Sequence, residues 1–307
     1  MLPCLLLSIL CGGSVHVERH TPTDPARDRE VPVKVYSPDF EADVAVPLVL
    51  LSHGLGGSRE GLGYIAEHLA ANGYLVVALQ HAGSDEAIWK DVPPRERMAA
   101  MRAAVRNGRN AVERPRDVSF VIDELLAREA DWAADLPRVN PEQIGIAGHS
   151  FGGHTTLAVA GMTMRGGVSF ADPRVKAAVA LSPPGEKGGY DEIAIPVMTV
   201  TGTRDTSPLS DETPESRMTP FREIEADSGI LIVFDGATHG GIGGGVGGRR
   251  GERSDPQADR RMHALIQQAT LLFLDAHLRG DADAAQALKA LPEMIGDAGT
   301  VETKDAN

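Results

Sequence analysis

Gln143-Ile144-Gly145-Ile146-Ala147, followed without a break by Gly148-His149-Ser150-Phe151-Gly152-Gly153, is the stretch whose reading decides the fold. The short apolar run reads as a strand, and the segment 154–160 that follows the glycines is compatible with a helix. Between them the chain must turn sharply with a serine at the corner. Gly148 and Gly152 stand two residues before and two after that serine, and a tight strand-to-helix turn leaves no room there for a side chain. The hydroxyl is then exposed above the sheet at a helix N-terminus, where the helix dipole favours developing negative charge. With 34 glycines in the chain, such a spacing arises readily by chance, so its meaning depends on partners elsewhere.

Outward from this turn, the pattern is one of strands alternating with helices. Val15-His16-Val17-Glu18 alternates in polarity, 21–29 is a polar turn, and Val31-Pro32-Val33-Lys34-Val35-Tyr36 alternates again. These predict an antiparallel hairpin at a sheet edge, where Pro32 is tolerated. Pro47-Leu48-Val49-Leu50-Leu51-Ser52 is continuously apolar, as in a strand buried on both faces. Helices are predicted over 61–72, 116–129, 153–162, 220–225 and 256–279, and strands over 74–80, 144–147, 175–181, 197–201 and 229–234. Such alternation implies a single α/β domain over 15–280, with a mainly parallel central sheet flanked by helices. The Ala/Asp-rich tail 281–307 reads as a short helix followed by a frayed end. Two stretches exceed this plan. Segment 81–113, with Pro93-Pro94 and a helical run over 95–106, either borders the substrate site or is a crossover with an extra surface helix. Segment 240–251 is glycine-rich but lacks the Gly-Lys-Ser or Gly-Lys-Thr of a phosphate loop.

Composition narrows the function classes. The 307 residues carry a formal net charge of −13, which argues against a nucleic-acid partner or docking on an anionic membrane. Cys4 and Cys11 are the only cysteines, so the body of the chain has no disulfide, no thiolate metal site and no cysteine nucleophile. No later apolar run is long enough to span a bilayer. Residues 1–14 admit two readings. Apolar Leu2 to Leu10 before Cys11-Gly12-Gly13 resembles a short secretory leader, yet no basic segment precedes it, and a misassigned start fits equally. Export and a cytoplasmic location both stay open.

A serine hydroxyl is a weak nucleophile and needs a base, an acid that orients the base, and donors for the oxyanion. His239, in Asp235-Gly236-Ala237-Thr238-His239-Gly240, lies just past a late strand among small residues and is the candidate base. Asp205 follows strand 197–201 and is the candidate orienter, with Asp235 as the alternative and a turn-capping role as the structural one. His53, His149 and His154 lie near the serine on the wrong segments for a base, and His149 reads as a packing neighbour. Ser52-His53-Gly54-Leu55-Gly56-Gly57-Ser58 is a glycine-rich turn after a buried strand. The backbone N–H groups of Leu55 and Phe151 are the candidate oxyanion donors. Ser150, Asp205 and His239 occur in the chain order of an α/β-hydrolase triad, with Ser150 on its nucleophile elbow.

On these residues the chain resembles the dienelactone hydrolase-like group of α/β-hydrolases, near the platelet-activating factor acetylhydrolases and the cutinase-like polyesterases. Leu51 to Gly57, Gly73-Tyr74-Leu75-Val76-Val77-Ala78 and Gly148 to Gly153 are similar to the acetylhydrolase pattern. The resemblance extends over about residues 31–279. It implies a serine esterase that needs no metal or organic cofactor, acting on a small-molecule or lipid-like ester. Two departures matter. Plasma-type acetylhydrolases have their acid one strand earlier, where Ser182 stands here, whereas Asp205 sits where dienelactone hydrolases and polyesterases have it. Dienelactone hydrolases proper use a cysteine nucleophile, and Ser150 replaces it. The expectation is therefore ester hydrolysis through an acyl-enzyme, with the oligomeric state open. Its alternatives are amide or peptide hydrolysis on the same fold, or a silent hydrolase-fold binding module.

Overall fold

A computed structural model of the chain describes residues 13–40, 44–247 and 254–304. Apart from Gly13 and Ser14, the leader reading lies outside these residues. The N-terminal strands are β1 (Val15–His20), the short pair β2 (Thr23–Asp24) and β3 (Arg29–Glu30), β4 (Val33–Pro38) and β5 (Ala45–Ser52). Then come α1 (Gly63–Ala71), β6 (Leu75–Leu79), α2 (Arg97–Arg106), α3 (Gly108–Ala127) and α4 (Asp131–Ala134). The centre of the chain forms β7 (Arg138–His149), α5 (Phe151–Ala160), β8 (Val175–Leu181) and β9 (Val197–Arg204). Next are α6 (Thr219–Glu223), β10 (Ile230–Thr238), α7 (His239–Ile242) and α8 (Pro256–Leu274). The chain closes with α9 (Ala282–Leu288), α10 (Leu291–Ile295) and β11 (Gly299–Thr303).

Nine strands form one sheet in the order β1-β4-β6-β5-β7-β8-β9-β10-β11. The run from β6 to β10 is parallel throughout. The flanking strands β1, β4 and β11 pair antiparallel. Side chains along the central strands alternate between two cores. In β5, Val49 and Leu51 face the layer of α1 and α8, while Leu48 and Leu50 face that of α3 and α5. That is why the run reads as continuously apolar: both faces are covered. Pro32 lies just before β4, where no ladder bond is asked of its nitrogen, and its carbonyl accepts from Gln80 N (2.8 Å).

Two sequence readings change. Helix α3 starts at Gly108 rather than at 116, capped by the Asn107 side chain, which accepts from Arg109 N (3.2 Å). It runs through Pro115, and its early residues Asn110, Glu113 and Arg114 are buried. Those polar residues hid the helix from a hydrophobic pattern. Over 281–304 the tail forms α9, α10 and β11 rather than a short helix and a frayed end. Leu288, Leu291 and Ile295 pack into the core beside α8, and β11 pairs with β10 from Ile230↔Thr303 to Phe234↔Gly299. Without β11 the outer edge of β10 would present unpaired backbone groups.

Candidate active site

The loops after β5, β7, β9 and β10 meet at the carboxyl ends of the parallel strands, where ligands bind in open α/β sheets. Ser150 occupies the corner between β7 and α5 with φ 58° and ψ −117°, a strained backbone for a residue with a side chain. The flanking glycines explain how the turn closes. A Cβ on Gly148 would lie 2.3 Å from the Gly152 carbonyl oxygen, and one on Gly152 would lie 1.8 Å from that of Ser52. The second clash is with the backbone of a buried central strand, so nothing can yield cheaply. Gly152→Ala is expected to destabilise the protein by about 3–5 kcal/mol in urea unfolding, and a loss under about 1 kcal/mol would contradict this geometry.

The structure brings Ser150, His239 and Asp205 into one row. His239 Nε2 stands 2.9 Å from Ser150 Oγ, and His239 Nδ1 stands 2.7 Å from Asp205 Oδ1. His239 follows directly on β10, where Thr238 caps α7 by accepting from Gly241 N (3.2 Å). Asp205 is fully buried, and its Oδ2 accepts from Thr201 Oγ1 (2.8 Å). Burial alone would raise its carboxyl pKa. The His239 hydrogen bond and the nearby cations outweigh burial and hold it below the usual carboxylate range. The alternative orienter, Asp235, is exposed. Chemically, such a row can pass a hydroxyl proton to an imidazole whose tautomer and charge the carboxylate supports.

Sequence reading missed Arg217. This buried guanidinium lies 2.8 Å from Asp205 Oδ1 and donates to the carbonyls of Asp205 (3.0 Å), Ser182 (2.7 Å) and Pro183 (3.0 Å). It ties the acid to the end of β8, where the acetylhydrolase pattern has its own acid. An isolated arginine in a single short helical turn carries no periodic signal, so nothing in the sequence marks it.

Leu55 lies in the turn after β5, and Phe151 is the first residue of α5, so its N–H has no partner within the helix. No acceptor among the described residues takes the Leu55 N–H. Segment 81–113 reaches this turn. Trp89 Nε1 donates to the Gly56 carbonyl (2.7 Å), and a Cβ on Gly56 would come within 2.8 Å of Met101. Arg102, also on α2, reaches the Pro208 carbonyl (3.4 Å) beyond Asp205. The segment thus touches both the turn after β5 and the loop beyond Asp205, and borders the Ser150–His239–Asp205 row. Among the described residues, no three His, Cys, Asp or Glu stand close enough to hold a metal ion, and no helix is long and apolar enough to cross a membrane.

Four histidines around the row, His53, His81 and His154 buried and His149 half-buried, are held neutral. His149 Nε2–H donates to the His239 carbonyl (2.9 Å), with the two rings 4.6 Å apart. Burial, then the His239 charge, pushes His149 down to about 3. Burial, then the Arg114 charge, pushes His81 and His154 to about 4 and His53 well below its ordinary 6.5. Each group is less basic folded than unfolded, so below about pH 6.5 the unfolded chain binds more protons. The stability they contribute is complete above that pH and is lost as pH falls towards the folded values. Urea unfolding at pH 5 is expected to give a free energy several kcal/mol below that at pH 7.5, approaching about 1.4 kcal/mol per histidine per pH unit. A flat profile over that window would show that these histidines are not held neutral.

The sequence profile described as the Dienelactone hydrolase family matches residues 33–269. A curated relative, "Quorum-quenching protein AidA" of Acinetobacter baumannii (strain MDR-ZJ06), is 29% identical over 155 residues, covering 48% of this chain and 42% of the relative. The chain thus spans less than half the length of that relative. Among solved structures, a ferulic acid esterase from Streptomyces cinnamoneus superposes with TM-score 0.60 at 22% identity, over 87% of this chain and 90% of the other. At that identity the likeness speaks for the fold alone.

Proposed function

Because this chain belongs to the dienelactone hydrolase family and has its α/β-hydrolase fold, we propose that it hydrolyses carboxylic esters through an acyl-enzyme on Ser150. This reading rests on one observation: Ser150 Oγ, on a strained turn, lies in a continuous row with His239 (2.9 Å) and Asp205 (2.7 Å).

His239 Nε2 takes the Ser150 proton as Oγ attacks the ester carbonyl carbon. Asp205 holds Nδ1–H and stabilises the imidazolium that forms. The carbonyl oxygen becomes an oxyanion, received by the N–H groups of Leu55 and Phe151 at the positive end of α5. Collapse breaks the bond to the alcohol, which leaves with the proton from His239. A water then gives its proton to His239 and attacks the acyl carbon. Release of the acid returns that proton to Ser150 Oγ. Trp89 and Met101 lie against Gly56 in the oxyanion turn. A small or lipid-like ester is the substrate class that this chemistry suits.

A fluorophosphonate probe reacts with an activated serine only. We expect it to label Ser150, with peptide mapping identifying the residue, and to leave Ser150→Ala unlabelled. A panel of p-nitrophenyl esters and matching anilides should show turnover of the esters. Absence of labelling would overturn the reading in favour of a silent binding module, and faster anilide cleavage would favour an amidase.

A further inference from the structure

Behind the oxyanion turn lies a second Ser–His–Asp row that the proposed mechanism does not use. Ser52 Oγ stands 3.0 Å from His81 Nε2, and His81 Nδ1 stands 3.0 Å from Asp117 Oδ2. Ser52, His81 and Asp117 are each 0% exposed. Arg29 holds the Asp117 carboxylate with both arms of its guanidinium (2.7 and 2.8 Å). The geometry is that of a catalytic row, but no substrate can reach it. Arg114 Nη2 also donates to Ser52 Oγ (3.0 Å), occupying one of its two lone pairs. Protons therefore point one way along the chain, from Arg114 to Ser52, from Ser52 to a neutral His81, and from His81 to Asp117.

Arg114 is itself 0% exposed, and its fork has further partners. Nη2 also donates to the His53 carbonyl, Nη1 to Ser84 Oγ (3.0 Å) and Nε to Thr155 Oγ1 (2.8 Å). Ser52 and His53 begin the oxyanion turn. The Ser84 carbonyl accepts Gly56 N–H (2.8 Å), just beyond Leu55. Thr155 Oγ1 donates to the Phe151 carbonyl (3.0 Å), and the guanidinium lies 4.6 Å from the centre of the Phe151 ring. His53 adds a further tie: its Nε2 accepts His81 N–H (3.1 Å), so Nδ1–H donates to the Gly54 carbonyl (2.6 Å). The turn that carries Leu55 and the first turn of α5, which carries Phe151, thus both end on this one cation or on a group it holds.

We propose that Arg114, braced by the Ser52–His81–Asp117 row, is the positioning residue of the oxyanion hole. Its planar fork fixes the turn after β5 against α5, the helix that Ser150 precedes. A buried guanidinium is costly to place, and a fork with several acceptors in one plane is what an arginine supplies and a lysine does not. The inference rests on the ester-hydrolase reading above, and the experiment separates the two.

The test compares Arg114→Met, Arg114→Lys and Ser150→Ala in the full chain. It uses p-nitrophenyl ester kinetics and inhibition by a trifluoromethyl ketone, whose serine adduct carries an oxyanion. Arg114→Met is expected to lower kcat about 100-fold with KM within about threefold. The ketone should lose affinity by the same factor, because it reports the hole rather than the ground state. Arg114→Lys, which keeps the charge without the fork, should stay nearer Arg114→Met than the parent. The inference is overturned by a kcat within about threefold of the parent, by an effect on KM alone, or by a kcat loss without loss of ketone affinity. Full recovery in Arg114→Lys would also overturn it. Should Arg114→Met not fold, Ser52→Ala decides by the same criteria with an expected loss of about tenfold. Activity surviving in Ser150→Ala would remove the ester-hydrolase reading itself. An inactive Ser150→Ala beside a fully active Arg114→Met removes only the role of Arg114.

Discussion

Ser150→Ala is expected to lower kcat for a p-nitrophenyl ester by roughly 10⁶-fold, the scale seen when a serine nucleophile is deleted. The loss is in the chemical step. Alanine leaves His239 and Asp205 hydrogen-bonded at 2.7 Å and leaves the Leu55 and Phe151 N–H groups where they are. KM should therefore stay within a few-fold, and the residual rate should be that of water attack assisted by the oxyanion donors. Stability should change little. The strain at φ 58° is borne by serine and alanine alike, because both carry a Cβ. A kcat within about tenfold of the parent would show that the row at Ser150 is not the reacting centre.

The second large effect is expected for Asp205→Asn, on activity and on stability together. Asp205 Oδ1 receives His239 Nδ1–H (2.7 Å) and the Arg217 guanidinium (2.8 Å), and Oδ2 receives Thr201 Oγ1–H (2.8 Å). All three are donors, and a carboxylate can accept from every one. A carboxamide keeps one acceptor oxygen and turns the other position into a donor. If its NH₂ faces His239, the ring keeps its proton on Nε2 and cannot accept the one from Ser150. A kcat loss of about 10⁴-fold follows from that tautomer. The substitution also leaves buried Arg217 without its counter-charge, at a cost of about 3–5 kcal/mol in urea unfolding. Both readouts are required. A large kcat loss with unchanged stability would mean that Arg217 does not depend on Asp205, contrary to the contact seen here.

Much of the framework was legible because its signals are local. The run 47–52 is apolar throughout because β5 is sandwiched between two helical layers, and the residues facing each layer alternate along it. Gly148 and Gly152 mark the turn because the carbonyls of Gly152 and Ser52 stand where their Cβ atoms would be. The tail was misread because Ala and Asp dominate it. Leu288, Leu291 and Ile295, which pack into the core, carry a helical spacing that the composition obscured.

Ser150, Asp205 and His239 could be nominated from the chain itself, since each follows a strand and a parallel sheet gathers its strand ends at one edge. The support behind them could not. Arg114 falls between segment 81–113 and the helix read over 116–129, Asp117 lies on that helix, and Arg217 sits in a short turn without pattern. Each is buried as a charge, which sequence reading assigns to solvent by default. Their burial is tolerable only because Ser52, His81, Arg29, Ser182 and Asp205 supply partners from elsewhere in the chain. Periodicity and turn chemistry are properties of neighbours along the chain, so the serine's turn and the sheet that presents it could be read in advance. Which buried cations brace that turn depends on groups tens of residues apart finding one another, and that pairing exists only once the chain is folded.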